Sequence, residues 1–172
     1  GCSFFPCENT ELLNLLGMVN SSTVQLLLSA LSPTLNYEVG QIAKLPFCQL
    51  PDLAESIITQ IISVSAKDWN SFETSWDFQR FVLFDPNQGA QAGDLLEDAV
   101  LHLREYWNRV SEEQRQREIR NNELVADAYG VRDEVPCDVP LERVSLKRNV
   151  AFSYPRDTPE VRNEKFAQDV VK

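Results

Sequence analysis

The sequence predicts a mainly α protein: a short helical pair with a small extended or β segment, a helical connector, one long helix and an extended C-terminal arm. Three observations carry this reading. Apolar residues recur at helical spacing in two early stretches, Asp94 to Tyr129 reads as nearly unbroken helix, and the chain beyond Gly130 turns polar and proline-punctuated. The breaks between these patterns divide the chain into segments 1–50, 51–92, 93–130 and 131–172.

The first helix begins at Glu11, where Asn9 or Thr10 supplies a cap, and Leu12, Leu13, Leu15, Leu16 and Val19 give it an apolar surface too broad for a solvent-facing helix. Asn20, Ser21 and Ser22 interrupt the pattern and offer side-chain oxygens to free amides. A second helix therefore runs from about Thr23 to Leu31, with Val24, Leu27, Leu28 and Leu31 in register. Ser32-Pro33 ends it, because the residue before proline avoids the helical region. From Pro33 to Phe47 the alternation of Leu35, Tyr37 and Val39 with Asn36 and Glu38 predicts a short strand or ordered loop. Leu50-Pro51-Asp52 opens a third helix, for which Ile57, Ile58, Ile61 and Ile62 provide the buried stripe.

Segment 67–84 is dense in rings: Trp69, Phe72, Trp76, Phe78, Phe81 and Phe84. Packing of one element on another is the favoured reading, since each ring can bury roughly 150–250 Å². Stacking on unpaired bases is the alternative, but it wants basic residues between the rings. Asp68, Glu73, Asp77 and Asp85 outnumber Lys67 and Arg80 there. Residues 86–93, PNQGAQAG, have the composition of a flexible loop.

The long helix is closed by Gly130 as its C-terminal cap. Leu96, Val100, Leu103, Trp107 and Val110 form its first apolar seam, and Leu124, Val125 and Ala128 resume it. Gln114, Arg117 and Asn121 occupy the seam positions between, which predicts a solvent-bridged middle or a polar partner. The seam is too short at each end for a sustained coiled coil. In the arm, Val139, Leu141, Val144 and Leu146 offer at most a short strand, and Asp169-Val170-Val171-Lys172 reads as the opening of another helix in a truncated chain.

At 172 residues and 43% hydrophobic content the chain can bury one substantial core. No apolar run reaches the roughly 18–20 residues needed to span a bilayer, and no signal-peptide pattern opens the sequence, so the reading is cytoplasmic. Cys2, Cys7, Cys48 and Cys137 lack metal-ligand spacing, and His102 is the single histidine, flanked by leucines on a helix. Neither a metal site nor nucleophilic hydrolase chemistry is expected. The net charge of −10 opposes bulk attraction to nucleic acid. It is unevenly spread: residues 131–172 are balanced, and Arg143, Lys147 and Arg148 form their compact basic cluster, suited to a phosphate or to a solvated surface.

Three motifs carry a resemblance to a known family. LLGMVNSSTVQLLLSALSPTLNYEVGQIAKLPF resembles the closing part of a TaqI-like target-recognition domain. DWNSFETSWDF, residues 68–78, is similar to the connector that follows it in PglX-like adenine-specific DNA methyltransferases of BREX phage-defence systems, relatives of type IIG restriction-modification enzymes. NNELVADAYGVRDEVPCDVPLERVSL resembles the end of their long helix and the arm after it. The second motif is the most specific, because it fixes many unusual residue types in one short run.

The resemblance implies a DNA-modifying parent that uses S-adenosylmethionine, with its catalytic domain upstream of Gly1. Segment 1–50 would close the recognition domain, 51–92 would be the helix and aromatic-rich connector, 93–130 the long helix and 131–172 the arm. The chain itself contains no [ND]PP[YFW] tetrapeptide and no FxGxG loop; Asp85-Pro86-Asn87 is the nearest approach, lacking the second proline and the aromatic. No cofactor is therefore expected in this chain. Within the implied recognition-domain turn, Thr34, Asn36, Tyr37 and Gln41 could touch double-stranded DNA, Asn36 or Gln41 at an adenine edge and Lys44 at a phosphate. The favoured reading of that turn is that it completes the domain's fold. The preferred function is a non-catalytic recognition and connector fragment, and the alternative is a module that docks other defence-complex subunits.

Overall fold

The computed structural model describes residues 11–31, 39–88, 93 and 95–171. Among them lie seven α-helices: α1 (Glu11–Val19), α2 (Ser22–Leu31), α3 (Val39–Ile42), α4 (Asp52–Trp69), α5 (Leu96–Tyr129), α6 (Val150–Ser153) and α7 (Pro159–Val171). Short 3-10 turns occupy Val82–Phe84, Pro86–Gln88 and Leu141–Arg143. The chain is mainly helical, as its periodicities predict.

The chain divides into two compact units: Gly1–Ile61 with Arg117–Asp138, and Ile62–Gln116 with Val139–Lys172. In the first, Met18, Val24, Leu28, Leu50, Ala54, Ile58, Leu124 and Val125 form the core, so α1, α2, the start of α4 and the end of α5 each bury an apolar stripe. In the second, Val82, Leu103, Trp107, Phe166 and Val170 form a separate core built on α5 and α7.

Local chemistry explains the element ends. Ser21 closes the α1–α2 junction: its hydroxyl donates to Met18 O at 2.7 Å and accepts from Val24 N at 3.2 Å, serving a free carbonyl and a free amide together. Gly130 has φ +69°, its amide meets Asp127 O at 3.0 Å and the Val131 amide meets Ala126 O at 2.9 Å. This left-handed cap ends α5 where the sequence places its glycine. Asp85 accepts from the Asn87 amide at 3.0 Å and thereby turns the chain into Pro86–Gln88. The part of the expected flexible loop that is described is thus an ordered turn, while residues 89–92 and 94 lie outside the described residues.

The small extended or β segment is not found: there is no strand among the described residues. Residues 33–38 lie outside them, and Val39, the last position of the alternating run, begins α3, whose turn closes through Ala43 N to Val39 O at 2.9 Å. Likewise the alternation of Val139, Leu141, Val144 and Leu146 forms no strand. A strand needs a partner for its amides, and here the Arg143 and Val144 amides return to Pro140 O and Leu141 O, tightening a 3-10 turn. The arm is extended only in part, since α6 and α7 follow that turn. Asp169 and Val170 stand in the last turn of α7, not at a helix opening.

No single helix among the described residues is long and apolar enough to cross a membrane. Helices α1 and α2 reach that composition only together, across a 67° bend.

Candidate functional site

The DWNSF part of the connector motif is a clamp. Asp68 lies in the last turn of α4 and is buried. Its carboxylate accepts the Lys147 amide at 2.6 Å and the Arg148 amide at 2.9 Å. The Arg148 guanidinium, also buried, donates from Nε to Ser71 Oγ at 3.2 Å and from Nη2 to Ser71 O at 3.3 Å. Both cations stand over the Phe72 ring, Lys147 Nζ at 3.8 Å and Arg148 Cζ at 4.1 Å from its centroid. Burial raises the Asp68 carboxyl above its ordinary pKa, opposed by the two amides and the two cations. Burial lowers that of Arg148, and the charge of Asp68 opposes it. One acid, one hydroxyl and one ring therefore fix a Lys-Arg dipeptide.

The turn after the clamp is also internally bonded. Ser75 is buried, donates to Asn70 Oδ1 at 2.6 Å and accepts from the Asp77 amide at 3.2 Å. The aromatic side chains it carries do not pack as the sequence predicts. Trp76 is fully exposed, Phe84 is 74% exposed and Trp69 is 55% exposed. Phe78 meets Phe81 edge to face at 5.5 Å, and Phe81 is itself exposed. The buried tryptophan is Trp107, whose Nε1 donates to Gln88 Oε1 at 3.0 Å.

Asp85 is bonded within its own turn. Its oxygens accept from the Asn87 amide, Asn87 Nδ2 and Gln88 Nε2, and those bonds hold its pKa below the ordinary value despite the opposing effect of burial. Among the described residues, Gly17 is packed inside α1, and a Cβ at Gly40, Gly93 or Gly130 would meet nothing within 4 Å. No group of three histidine, cysteine or acidic residues gathers as for a metal among them.

The third motif holds the first. Asn121 Nδ2 donates to Gly17 O at 2.9 Å, Asn122 Oδ1 accepts the Ser22 amide at 3.0 Å, and Asn122 Nδ2 donates to Cys137 O at 3.1 Å. Of the polar seam positions of α5, Asn121 is thus buried and bonded to backbone, and Arg117 Nε donates to Gln60 Oε1 at 3.1 Å, a polar partner of the kind the sequence left open. Gln114 and Ser111 on the same helix are buried too.

Of the sequence-predicted contact residues, Thr34, Asn36 and Tyr37 lie outside the described residues. Gln41 is half-buried in α3 and Lys44 is exposed just beyond it. Both belong to the first unit. Arg143, Lys147 and Arg148 belong to the second; the first two are exposed, whereas Arg148 is the buried half of the clamp. Asp68, Ser71, Asn121 and Asn122 are the residues that sequence reasoning missed. The signal was their place inside the second and third motifs.

No family model matches the chain. The adenine-specific methyltransferase PglX of Lacticaseibacillus casei (strain Zhang) is 31% identical over 166 residues, which is 91% of this chain and 13% of that protein. The adenine-specific methyltransferase BrxX of Escherichia coli O9:H4 (strain HS) is 37% identical over 88 residues, 49% of this chain and 7% of that protein. The chain thus spans a small fraction of the length of these curated relatives. Its motifs and this match across nearly all of its residues agree: the chain is homologous to one segment of the PglX-like adenine-specific methyltransferases.

Proposed function

We propose that this chain is a non-catalytic DNA-recognition and connector fragment of a site-specific N6-adenine DNA methyltransferase, acting in the cytoplasm within a BREX-type phage-defence or restriction-modification system. The observation that carries the reading is the match to PglX over 91% of the chain, in a sequence that has no tetrapeptide for holding a flipped adenine. S-adenosylmethionine would be bound by the parent enzyme outside this segment. In this reading segment 1–50 closes a target-recognition domain, 51–92 and 93–130 connect it onward, and 131–172 is the following arm.

Two features support it. The first unit exposes Leu12, Leu16, Leu26, Leu31 and Val39, apolar surface that the remainder of a recognition domain would cover. The exposed cations Lys44 and Arg143 are the phosphate candidates, joined by Lys147 where it leaves the Phe72 ring; Thr34, Asn36, Tyr37 and Gln41 are the proposed polar contacts, the first three outside the described residues. Arg148 is buried, with its guanidinium on Ser71.

Titration of the chain with mixed-sequence duplex DNA at graded salt tests the proposal. With about three phosphates neutralised, log K falls against log salt with a slope of roughly −3, with little dependence on sequence. Charge reversal at Lys44 and Lys147 abolishes the binding and leaves helicity unchanged. Tight binding to one duplex at physiological salt would instead mean a complete recognition domain, and saturable binding of S-adenosylmethionine would overturn the fragment reading.

A further inference from the structure

We propose that the exposed turn carrying Trp76, Asp77 and Phe78, together with Trp69, is a docking surface for an extended, Lys/Arg-bearing segment of a partner protein. The proposal does not rest on the DNA-modifying reading. It rests on what the adjoining residues already do. Asp68, Ser71 and Phe72 hold a Lys-Arg dipeptide of this same chain, the acid taking its backbone amides and the ring taking both cations at 3.8 and 4.1 Å. The sequence then repeats the ingredients: DWNSF is followed by SWDF, again a serine, an acid and two large rings, now with the acid between the rings.

The second set is presented differently. Trp76 is fully exposed, Asp77 and Glu73 are exposed, and Trp69 is more than half exposed. The backbone beneath them is held by the Ser75 bonds to Asn70 and Asp77, so the rings are displayed on an ordered turn, which lowers the entropy lost on binding. Charge selects the occupant. The carboxylates of Glu73 and Asp77 repel phosphate, which disfavours single-stranded nucleic acid despite the rings. Three cations of the unit are engaged within the chain: Lys67 donates to Tyr106, and Lys147 and Arg148 stand on Phe72; Arg80 is the exposed cation beyond Phe78. An incoming lysine or arginine would meet a ring face and a carboxylate together, the pairing that the clamp already displays.

The test uses the whole 172-residue chain and a short synthetic peptide carrying Lys-Arg pairs between alanines, with a matched peptide bearing glutamates in place of the cations. Binding is followed by tryptophan fluorescence and by chemical shifts. The expected result is saturable binding of the cationic peptide alone, weakened by salt, and weakened at least tenfold by Trp76→Ala or Asp77→Lys with an unchanged melting temperature. Trp107→Phe serves as the control that leaves binding intact. Absence of saturable binding, equal binding of the glutamate peptide, tighter binding of a single-stranded oligonucleotide, or self-association lost on Trp76→Ala would each overturn the proposal.

Discussion

The carboxylate of Asp68 accepts the backbone amide of Arg148 at 2.9 Å, joining the last turn of α4 to a loop 80 residues further along the chain. An acid in the last turn of a helix is locally unfavourable, because free carbonyls gather there. Its position makes sense through its partners: two amides supply the donors, and Arg148 and Lys147 supply the opposing charge.

Asp68→Ala removes that acceptor and leaves the Arg148 guanidinium buried without its counter-charge. The expected loss is about 3 kcal/mol or more, read as a lower urea midpoint. Because burial raises the Asp68 pKa, the proton-linked part of the stability is fully present below the ordinary carboxylate value and is lost as pH rises through the raised one, where the amide bonds and the two cations offset it. Asp68→Asn, which does not titrate, flattens the dependence of melting temperature on pH across that window. An unchanged midpoint and slope would mean that the clamp carries no stability.

Gly17 is required by packing. A Cβ there would lie 2.5 Å from Ile58 Cδ1 and 2.9 Å from Asn121 Oδ1. Gly17→Ala is expected to destabilise by about 1–3 kcal/mol. Ile58→Val deletes the closest clashing atom, so the double variant recovers part of the loss, a coupling that a denaturation double-mutant cycle measures.

The three tryptophans separate cleanly in stability. Trp107→Ala opens a cavity in the second core and removes the donor to the buried Gln88 Oε1, with an expected cost of about 3–5 kcal/mol. Trp76→Ala removes a ring already in solvent and shifts stability by no more than about 0.5 kcal/mol, with Trp69→Ala close behind. Differential scanning calorimetry of the three variants checks the order.

Two tyrosines titrate late. The bond from Tyr154 to Asp169, reinforced by burial, pushes its phenol up to about 12; burial, with Cys48 beside it, does the same for Tyr129. Raised phenols stabilise the fold fully below their ordinary value near 10, and that contribution is lost as pH climbs through about 12. Phenolate absorbance in Tyr154→Phe and Tyr129→Phe should each lack a late component present in the parent chain.

Helical periodicity made most of the fold legible. The apolar spacing of α1, α2, α4 and α5 is imposed by the helix itself, and Gly130 marks its own cap through the left-handed backbone that glycine favours. The spacing of Val139, Leu141, Val144 and Leu146 misled because buried residues in a connecting segment need no strand when a turn supplies the amides with acceptors; of the earlier alternation, only Val39 is described, and it begins α3. Trp69 and Trp76 misled for a different reason. Ring size sets how much area can be buried, but whether a covering surface is present is decided elsewhere in the protein. Arg148 looked like a surface cation, and only the fold shows that its neighbour Asp68 takes it inward. Of the expected contact residues, the sequence supplied chemistry without placement.

Each unit is assembled from two separated stretches of chain, and this sets a timetable for synthesis. Gly17 waits 104 residues for Asn121, and Asp68 waits 80 for Arg148. At about 5–20 residues per second, a ribosome takes roughly 5–20 s to deliver the asparagine that closes the α1–α2 junction. During that interval the leucines of both helices have no finished core to enter. A chain that stalls before residue 121 is therefore a sticky intermediate awaiting a chaperone, whereas one that passes residue 148 holds both halves of the clamp.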